Sequence, residues 1–350
     1  MIISVNTPKS SYDVIVKRGA LNDAATFSSF PHEAKTLIVT DDGVPRAYVE
    51  AVKKHFPRSL IVTLPQGEQS KSLENYAYLL ETLTKNAFTR RDIAIAVGGG
   101  VVGDLCGFAA ATYMRGIAFY NVPTTFLSQV DSSIGGKTAI DFCGVKNVVG
   151  AFYPPSAVVI DPDTLSSLSP RQLHAGIAES IKMAATSDDT LFSLLEQCAA
   201  SPETFNANAE EIITRSLLVK KSVVEADMEE KGLRKVLNFG HTAGHAIESL
   251  SARTAQPLLH GECVALGMPP FCSNEVRGRI LPLLSAYGLP TSALFKKAEI
   301  ERLVRHDKKA QTDSLINVVT VDRIGSFVFE QKTPTQIGEL CEQTILNNRV

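Results

Sequence analysis

The sequence predicts an α/β nucleotide-binding domain with a parallel sheet, followed by a mainly α-helical domain. Short β-branched apolar runs, typical of strands buried on both faces, recur through the first half of the chain. A glycine-rich turn joins one of these runs to a helical segment, as in nucleotide-binding domains. After residue 165 the apolar spacing becomes helical. We therefore predict one domain over 1–165 and a second over 166–350.

The strands of the first domain are predicted from five apolar runs. These are TLIVT (36–40), LIVTL (60–64), DIAIAV (92–97), AFYNV (118–122) and AVVID (157–161). Between them, Leu73, Ala77, Leu80 and Leu83 recur at helical spacing, which predicts a covering helix within 70–87.

The second half opens on a strong helix-start signal. Ser169, Pro170 and Gln172 supply an N-cap, a proline at the first helical position and a glutamine at the third. Further helices are predicted at 190–199, 207–227, 234–251 and 260–277, with weak strand signals at 315–321 and 325–330.

Composition excludes several classes of protein. The 350 residues carry a formal net charge of −2 with both signs interspersed, so we expect neither a nucleic-acid nor a membrane partner. Six cysteines without a C-x-x-C pair predict buried thiols in a reducing compartment. The first residues lack the pattern of a signal peptide, and a cytoplasmic location is expected.

The glycine turn is formed by Gly98, Gly100 and Gly103, which match G-x-G-x-x-G directly after the predicted strand 92–97. There the backbone amides and the helix N-terminus can face a pyrophosphate. The acid expected about 20 residues later is missing, so the match departs from the usual dinucleotide fingerprint. Asp41 and Asp42, after the first strand, are the alternative carboxylates for a ribose. The structural alternative is a tight strand-to-helix turn.

Residues 128–150 predict a loop that binds an anion. Asp131, Lys137, Lys146 and Asn147 lie among glycines and serines, a composition suited to holding a phosphate with amides and ammonium groups. The run 136–138 ends like a Walker A motif. However, Asp131 occupies the position of its first glycine, which argues against a P-loop NTPase.

A stripe of polar residues is predicted along one helix of the second domain. Arg234, Asn238, His241, His245 and Glu248 recur at intervals of four, three, four and three, which places them on one helical face. The remaining positions are mostly small or apolar, so the stripe is expected to face an internal cavity.

Glu179 completes a candidate metal site with these histidines and His260. It lies on the helix that begins near Ser169, with Lys182 one turn later. Two histidines and one carboxylate are a common catalytic zinc set, and the spacing leaves open whether His241 or His245 is a ligand. Thr242 stands where a zinc protease needs its glutamate, which argues against that class.

Together, the dinucleotide turn, the zinc set and the anion-binding loop predict hydride transfer on a hydroxylated, phosphorylated substrate. A polyol- or glycerol-phosphate dehydrogenase would satisfy these features. The cationic side chains exceed what one phosphate requires, which predicts a second anionic group such as a carboxylate. They are Lys137, Lys146, Lys182, Lys220, Arg234, Lys308 and Lys309.

At this point the chain closely resembles the 3-dehydroquinate synthase family. The matching motifs are GGGVVGD (98–104), YMRG (113–116), VPTT (122–125), QVDSSIGGKTAID (129–141), KNVVGAF (146–152), GIAESIK (176–182), LRKVLNFGHTAGHAIE (233–248) and LHGECVALGM (259–268). The resemblance implies a homodimeric lyase of the shikimate pathway that uses NAD and zinc, or cobalt in its place. The implied reaction converts 3-deoxy-D-arabino-heptulosonate 7-phosphate to 3-dehydroquinate and phosphate. It proceeds by transient oxidation, phosphate elimination, reduction and aldol closure.

The resemblance also implies the residue roles. Zinc would be held by Glu179, His241 and His260. The residues implied to bind NAD are Asp41, Asp42, Glu68, Lys71, Gly99, Gly100, Val101, Asp104, Thr124, Thr125, Lys146, Thr164, Leu165, Ser166 and Ser167. Those implied to act in catalysis are Asp131, Lys137, Lys182, Lys220, Arg234, Asn238 and His245. Further substrate contacts are implied for Arg115, Asn147, Lys308 and Lys309, with one of the last two in contact. Other sugar-phosphate cyclases, which take neutral or amino substrates, are the nearest alternative.

Overall fold

The computed structural model describes residues 1–8, 10–307 and 315–346. The chain divides into two compact units. The first comprises Met1–Leu168 with Lys220–Glu229, and the second Ser169–Val219 with Glu230–Val350. Lys220 thus belongs with the first unit, although the residues directly before it belong to the second. The domain boundary predicted after residue 165 stays a prediction.

The first unit is built on a seven-stranded sheet, which confirms the predicted α/β fold. Its strands are β1 (Ile2–Asn6), β2 (Ser11–Val16), β3 (Thr36–Asp41), β4 (Ser59–Leu64), β5 (Ile93–Gly98), β6 (Ala118–Pro123) and, later in the chain, β9 (Ala157–Ile160). Their order is β1-β2-β9-β6-β5-β3-β4, and every neighbouring pair is parallel except β1 with β2. All five predicted strands are present, whereas the β1–β2 hairpin was not predicted.

Apolar side chains cover both faces of this sheet. The helices of this part are α1 (Arg46–Lys53), α2 (Leu73–Lys85) and α3 (Gly100–Thr112). One core cluster joins the sheet to α2 and α3, with Leu79 and Leu105 fully buried. The other joins the sheet to α1, through Val52 and Phe56. Strands β3, β5 and β9 are buried along their whole length, as their unbroken apolar runs predict.

The prediction of a loop over residues 128–150 is wrong for its second part, which forms two strands. Residues Ser128–Ser132 form a single π-helical turn, and β7 (Lys137–Phe142) pairs with β8 (Val145–Phe152) as an antiparallel hairpin. Gly144, at φ 78°, supplies the left-handed conformation of the connecting turn. The glycines and lysines indicated a loop, but the β-branched residues of both segments pair as strands.

The second unit is mainly helical, as predicted. Its helices are α4 (Pro170–Ser187), α5 (Asp189–Cys198), α6 (Pro202–Ala226), α7 (His241–Ser251), α8 (His260–Gly267), α9 (Asn274–Ala286), α10 (Lys297–Asp307) and α11 (Pro334–Thr344), except that the end of α6, from Lys220 on, belongs to the first unit. Strands β10 (Ile316–Thr320) and β11 (Val328–Lys332) form an antiparallel pair. Among the described residues, no helix is both long and apolar enough to cross a membrane. The Ser169 side chain accepts a hydrogen bond from Gln172 N, which confirms the predicted N-cap.

Two predicted helices are shorter than expected. Residues Leu233–Asn238 form a 3-10 helix, and Gly240, at φ 76°, separates it from α7, which begins only at His241. Arg234 and Asn238 therefore do not share a helix with the histidines. The prediction that all five polar residues lie on one helical face is wrong for these two. The predicted helix 260–277 is also interrupted, because α8 ends before Pro269 and Pro270.

All six cysteines are free thiols, and five of them are buried as predicted. Cys143 is the exception. It lies exposed in the turn between β7 and β8, so the prediction of a core thiol is wrong for this residue.

Candidate active site

Three side chains from separate helices of the second unit meet in one cluster. Glu179 Oε1 on α4 lies 3.6 Å from His241 Nε2 at the start of α7 and 3.4 Å from His260 Nε2 at the start of α8. One donor atom from each residue lies within 4.8 Å of the others. Glu179 is fully buried, and its Oε1 faces the two imidazoles rather than a neighbouring main-chain or ammonium donor. A buried carboxylate in this state is suited to a cation.

Lys182 contacts the same carboxylate. Its Nζ lies 2.5 Å from Glu179 Oε2, and both side chains are buried. The one-turn spacing of these residues on α4 predicted that they share a face. The contact occupies one side of the carboxylate, while Oε1 faces the two imidazoles.

Close helix packing brings the three metal-binding side chains together. A Cβ atom on Gly261 of α8 would lie 1.7 Å from the Ala175 carbonyl oxygen on α4. On the other side, a Cβ on Gly244 of α7 would lie 3.0 Å from the Cys263 carbonyl oxygen on α8. The main chains approach too closely at Gly261 for any larger residue, and at Gly244 a larger residue would require the neighbouring main chain to shift. The helices that carry Glu179, His241 and His260 can therefore converge.

The outer nitrogen of each histidine has its own partner. His241 Nδ1 lies 3.1 Å from the Phe239 carbonyl oxygen, which accepts only from a protonated nitrogen. His260 Nδ1 lies 3.3 Å from Glu248 Oε2. With a proton on each Nδ1, His241 Nε2 presents a lone pair toward Glu179, and His260 Nε2 would do the same once a metal replaces its proton.

Burial and charge set the protonation of the cluster. Burial opposes charge on Glu179, but the Lys182 ammonium and the imidazoles hold the pKa of its carboxyl well below the usual value. Burial, aided by Lys182, lowers the pKa of His241 to about 3, so this imidazole is neutral at pH 7. Burial also disfavours charge on His260, yet the Glu179 and Glu248 carboxylates raise its pKa to about 10. A metal ion would take the place of that proton.

An ion pair ties α4 to the start of α8. Arg171 Nε and Nη2 donate to the two oxygens of Glu262, each at 2.7 Å. The Glu262 carboxylate also accepts from Leu259 N at 2.7 Å, directly before His260. The first turn of α8 is thereby held against the first turn of α4.

His245 lies beside the cluster rather than inside it. Its ring centroid is 5.3 Å from that of His241 and 6.1 Å from that of His260, and the residue is exposed. It forms a second group of possible metal donors with Glu248 and His260. The burial of Glu179 favours the group that contains His241.

In the first unit, the glycine turn leads directly into α3, as predicted. Gly99 is the N-cap, and its lack of a side chain leaves the first amides of the helix without a side-chain cap. A Cβ on Gly100 would lie 3.0 Å from Ser132 Oγ. The N-terminus of α3 is thus suited to an anion such as a pyrophosphate.

Lys71 contacts three other residues that were predicted to belong to the site. Its Nζ lies 2.7 Å from Asp104 Oδ2 and 3.8 Å from Glu68 Oε1, and it also donates to Asn147 Oδ1. Burial raises the pKa of Asp104, against the opposing charge of Lys71. The structure thus groups three residues predicted for NAD with Asn147, predicted for the substrate.

The remaining residues predicted for NAD lie at the carboxyl ends of the strands, on α3 or on the hairpin. Asp41 accepts from Gly43 N and Asp42 from Gln66 N, so both shape turns after β3 and β4. Thr124 N donates to Gly98 O after β6. Residues 164–167 belong to a 3-10 helix after β9, in which Thr164 and Leu165 are buried and Ser166 and Ser167 exposed. Val101 lies on α3, Thr125 follows Thr124, and Lys146 is exposed on β8.

Gln129 joins two of these strand ends and was not predicted as a site residue. Its Nε2 lies 3.2 Å from Pro123 O, 3.1 Å from Asp161 O and 2.9 Å from Thr164 Oγ1, and the side chain is fully buried. It therefore holds the 3-10 helix that carries Thr164 against β6. A glutamine within the strongly polar run 128–133 was the available signal.

Of the residues predicted for the substrate, Asp131 and Lys220 form a direct contact. Lys220 Nζ lies 2.7 Å from Asp131 Oδ1 and also donates to Asp131 O. In the second unit, Arg234 is buried and Asn238 donates to Glu230 at 2.8 Å. Lys137 and Arg115 are exposed in the first unit, and Lys308 and Lys309 lie outside the described residues.

Glu248 and Glu262 contact residues of the cluster, but the sequence analysis assigned neither of them a role in the site. Glu248 was recognised in the stripe, and its spacing from His245 is the signal that brings it to the same face. Glu262 follows His260 by two positions and forms part of a helix cap.

Comparison with known proteins agrees with this arrangement. The family models described as 3-dehydroquinate synthase N-terminal and C-terminal match residues 61–175 and 176–310. A 3-dehydroquinate synthase of Enterococcus faecalis (strain ATCC 47077 / OG1RF) is 42% identical over 341 residues, covering 93% of this chain and 94% of the relative. These matches confirm both the predicted family and the predicted function.

Solved structures of two cyclases are similar throughout. A 2-deoxy-scyllo-inosose synthase complexed with carbaglucose-6-phosphate, NAD+ and Co2+ has a TM-score of 0.87 and 25% identity, covering 99% of this chain and 100% of its own. A 2-epi-5-epi-valiolone synthase from Streptomyces hygroscopicus subsp. jinggangensis 5008, with NAD+ and Zn2+ bound, has a TM-score of 0.84 and 27% identity, with 97% and 98% covered. The chain belongs to the 3-dehydroquinate synthase family and is a lyase-type cyclase.

Proposed function

We propose that this chain converts 3-deoxy-D-arabino-heptulosonate 7-phosphate to 3-dehydroquinate and phosphate with bound NAD and a zinc ion, or cobalt in its place. The observation that carries the proposal is the cluster of Glu179, His241 and His260, whose donor atoms lie within 4.8 Å of one another. The family relationship supports the reaction, and the two similar cyclases were solved with NAD+ and either Co2+ or Zn2+.

The residues of the cluster fit a zinc ion. Two imidazoles and one carboxylate are a common catalytic zinc set, and they leave a coordination position for a substrate hydroxyl. Lys182 contacts Glu179 Oε2, which leaves the buried Oε1 and the two Nε2 atoms that face it as donors for the metal. When bound, a zinc ion acidifies a hydroxyl of the substrate, and NAD accepts and returns a hydride.

In the proposed NAD site, the N-terminus of α3 holds the pyrophosphate. Gly99, Gly100 and Val101 supply backbone amides in its first turn. The Lys71 ammonium is held by Asp104 of α3, and it would attract the negatively charged cofactor. Thr124, Thr125 and the 3-10 helix at 164–167 contribute from the ends of β6 and β9, with Asp41, Asp42, Glu68 and Lys146 as the remaining contacts.

The substrate carries a carboxylate and a phosphate, and the proposed contacts match both charges. Lys220 and Arg234 would hold the carboxylate. Arg115 would reach the phosphate in the neighbouring subunit, and Lys137, Asn147 and one of Lys308 and Lys309 would add further contacts. Asp131, Lys182, Asn238 and His245 would orient hydroxyl groups and transfer protons between them. Asp131 is already paired with Lys220, which keeps this ammonium in place before substrate arrives.

A homodimer is proposed as well. The β7–β8 hairpin exposes apolar side chains, which is unusual for a free surface and supports a subunit contact there. They are Phe142, Val145, Val148, Val149 and Phe152. Six free thiols support a reducing compartment, and we propose a cytoplasmic location.

The direct test is to incubate the purified chain with the heptulosonate phosphate, catalytic NAD and zinc. We expect phosphate and 3-dehydroquinate to appear in equal amounts, without net NADH absorbance. Net NADH would instead indicate a simple polyol-phosphate dehydrogenase. Absence of dehydroquinate would contradict the proposed reaction.

Another sugar-phosphate cyclase activity is the second candidate, because the two similar structures belong to such enzymes. The carbaglucose-6-phosphate of the first structure has no carboxylate, whereas this chain has Lys220 and Arg234 for one. We expect Lys220→Met to raise KM strongly for the heptulosonate phosphate. Turnover of a sugar phosphate without a carboxylate, unaffected by this substitution, would favour the second candidate.

A further inference from the structure

We propose that Glu248 is a positioning residue for the metal, because it holds the imidazole of His260 so that Nε2 faces Glu179. The role rests on the metal site proposed above. It concerns a side chain that need not contact the metal at all.

The two nitrogens of His260 face two different carboxylates. Nδ1 lies 3.3 Å from Glu248 Oε2, and Nε2 lies 3.4 Å from Glu179 Oε1. A carboxylate beside the outer nitrogen keeps the proton there and leaves the lone pair of Nε2 for a metal. It also fixes the rotation of the ring about its bond to Cβ.

Helix α7 thereby orients two of the three ligands. It carries His241 at its first position and Glu248 two turns later. Glu248 reaches from α7 to α8, where the two helices are in close contact at Gly244 and Cys263. The Glu248 side chain therefore contacts His260 directly across the interface between the two helices.

The two histidines differ in how they are held. His241 Nδ1 faces the main-chain carbonyl of Phe239, which a side-chain substitution does not remove. His260 Nδ1 faces the Glu248 side chain. Substitution of Glu248 should therefore make the imidazole of His260 more mobile and leave that of His241 in place.

The competing role for Glu248 is direct ligation together with His245 and His260, whose donor atoms also lie within 4.8 Å of one another. That arrangement would leave the buried Glu179 carboxylate without the metal. It would also make His245 as important to metal affinity as Glu248, so the two roles can be separated by experiment.

The test is zinc affinity, measured on metal-free protein by competition with a chromophoric chelator. The variants are Glu248→Gln, Glu248→Ala and His245→Ala. Ser249→Ala serves as the matched control, since Ser249 is the exposed neighbour of Glu248 on α7. We expect both Glu248 variants to weaken zinc binding by about 10- to 100-fold, with the glutamine variant less affected because its amide oxygen can still accept a hydrogen bond. The His245 and Ser249 variants should bind zinc as the wild type does.

The visible spectrum of the cobalt-substituted protein gives a second readout. A changed ligand geometry shifts the absorption bands in Glu248→Gln, while the far-ultraviolet circular dichroism of the metal-free variant should stay that of the wild type. Unaltered zinc affinity and an unaltered cobalt spectrum in Glu248→Gln would overturn the role. Equal losses in Glu248→Ala and His245→Ala would overturn it in favour of direct ligation. A wild-type chain that binds neither metal would instead refute the proposed metal site itself.

Discussion

His260 Nε2 lies 3.4 Å from Glu179 Oε1, although the two residues belong to different helices, α8 and α4. This contact depends on Gly261, which lets the main chains of the two helices approach each other. Metal affinity should therefore respond both to the ligands and to the packing that brings them together.

Replacing Glu179 by glutamine should remove the metal. The amide keeps the size of the side chain, but it is a poor zinc ligand. We expect zinc content, measured by atomic emission, to fall from about one ion per chain to a small fraction of that. Glu203→Gln, an exposed substitution on α6, is the control. Full zinc content in Glu179→Gln would refute the ligand assignment.

The same substitution should also destabilise the metal-free protein. The buried Lys182 ammonium loses the carboxylate that lies 2.5 Å away, which should lower the free energy of unfolding by about 3 kcal/mol. The double variant Glu179→Gln with Lys182→Met should recover much of this loss, because it removes the buried charge. Urea unfolding of the metal-free variants measures the effect. Equal stability of the single variant and the wild type would contradict this account.

Gly261→Ala should separate α8 from α4. The added methyl group would lie 1.7 Å from the Ala175 carbonyl oxygen, so the helix must move and carry His260 away from Glu179. We expect weaker zinc binding and a loss of stability of about 1–3 kcal/mol. Gly278→Ala on α9 is the control, since no atom lies within 4 Å of its added methyl. Its stability should be unchanged or slightly higher.

Gln129→Leu should weaken NAD binding without touching the cofactor. The variant removes hydrogen bonds to Pro123 O and Asp161 O and frees Thr164 from the end of β6. We expect a loss of stability of about 1–3 kcal/mol, together with a higher Kd for NAD in direct titration. Gln197→Leu, an exposed substitution on α5, should change neither. An unchanged NAD affinity in a folded Gln129 variant would show that this glutamine has only a structural role.

Asp92 should make stability depend on pH. Burial opposes its charge, but hydrogen bonds from Thr89 and from Lys35 N lower the pKa of its carboxyl. The stabilisation is therefore present above the unfolded pKa of about 3.9 and is lost as pH falls through the lower folded value. We expect Asp92→Asn to cost about 1–3 kcal/mol at pH 7, with the gap to the wild type narrowing in acid. A gap independent of pH would contradict this assignment.

Local patterns predicted much of the fold because they report local physical requirements. The run IAIAVG forms β5, buried along its whole length, since only a strand between two helical layers needs apolar residues at every position. The cap at Ser169 likewise predicted the start of α4. By contrast, the intervals from Arg234 to Glu248 fit one helix, but Gly240 introduces a break that spacing alone does not register.

The sequence by itself determined the two kinds of unit, the glycine turn before α3, and the set of histidines and acids from which a metal site can be built. Only the tertiary structure decided which of them meet. Glu179, His241 and His260 lie on three helices, so their distances depend on helix packing rather than on spacing along the chain. Glu248 and Gln129 acquire their partners in the same way, from contacts between elements that no local pattern encodes.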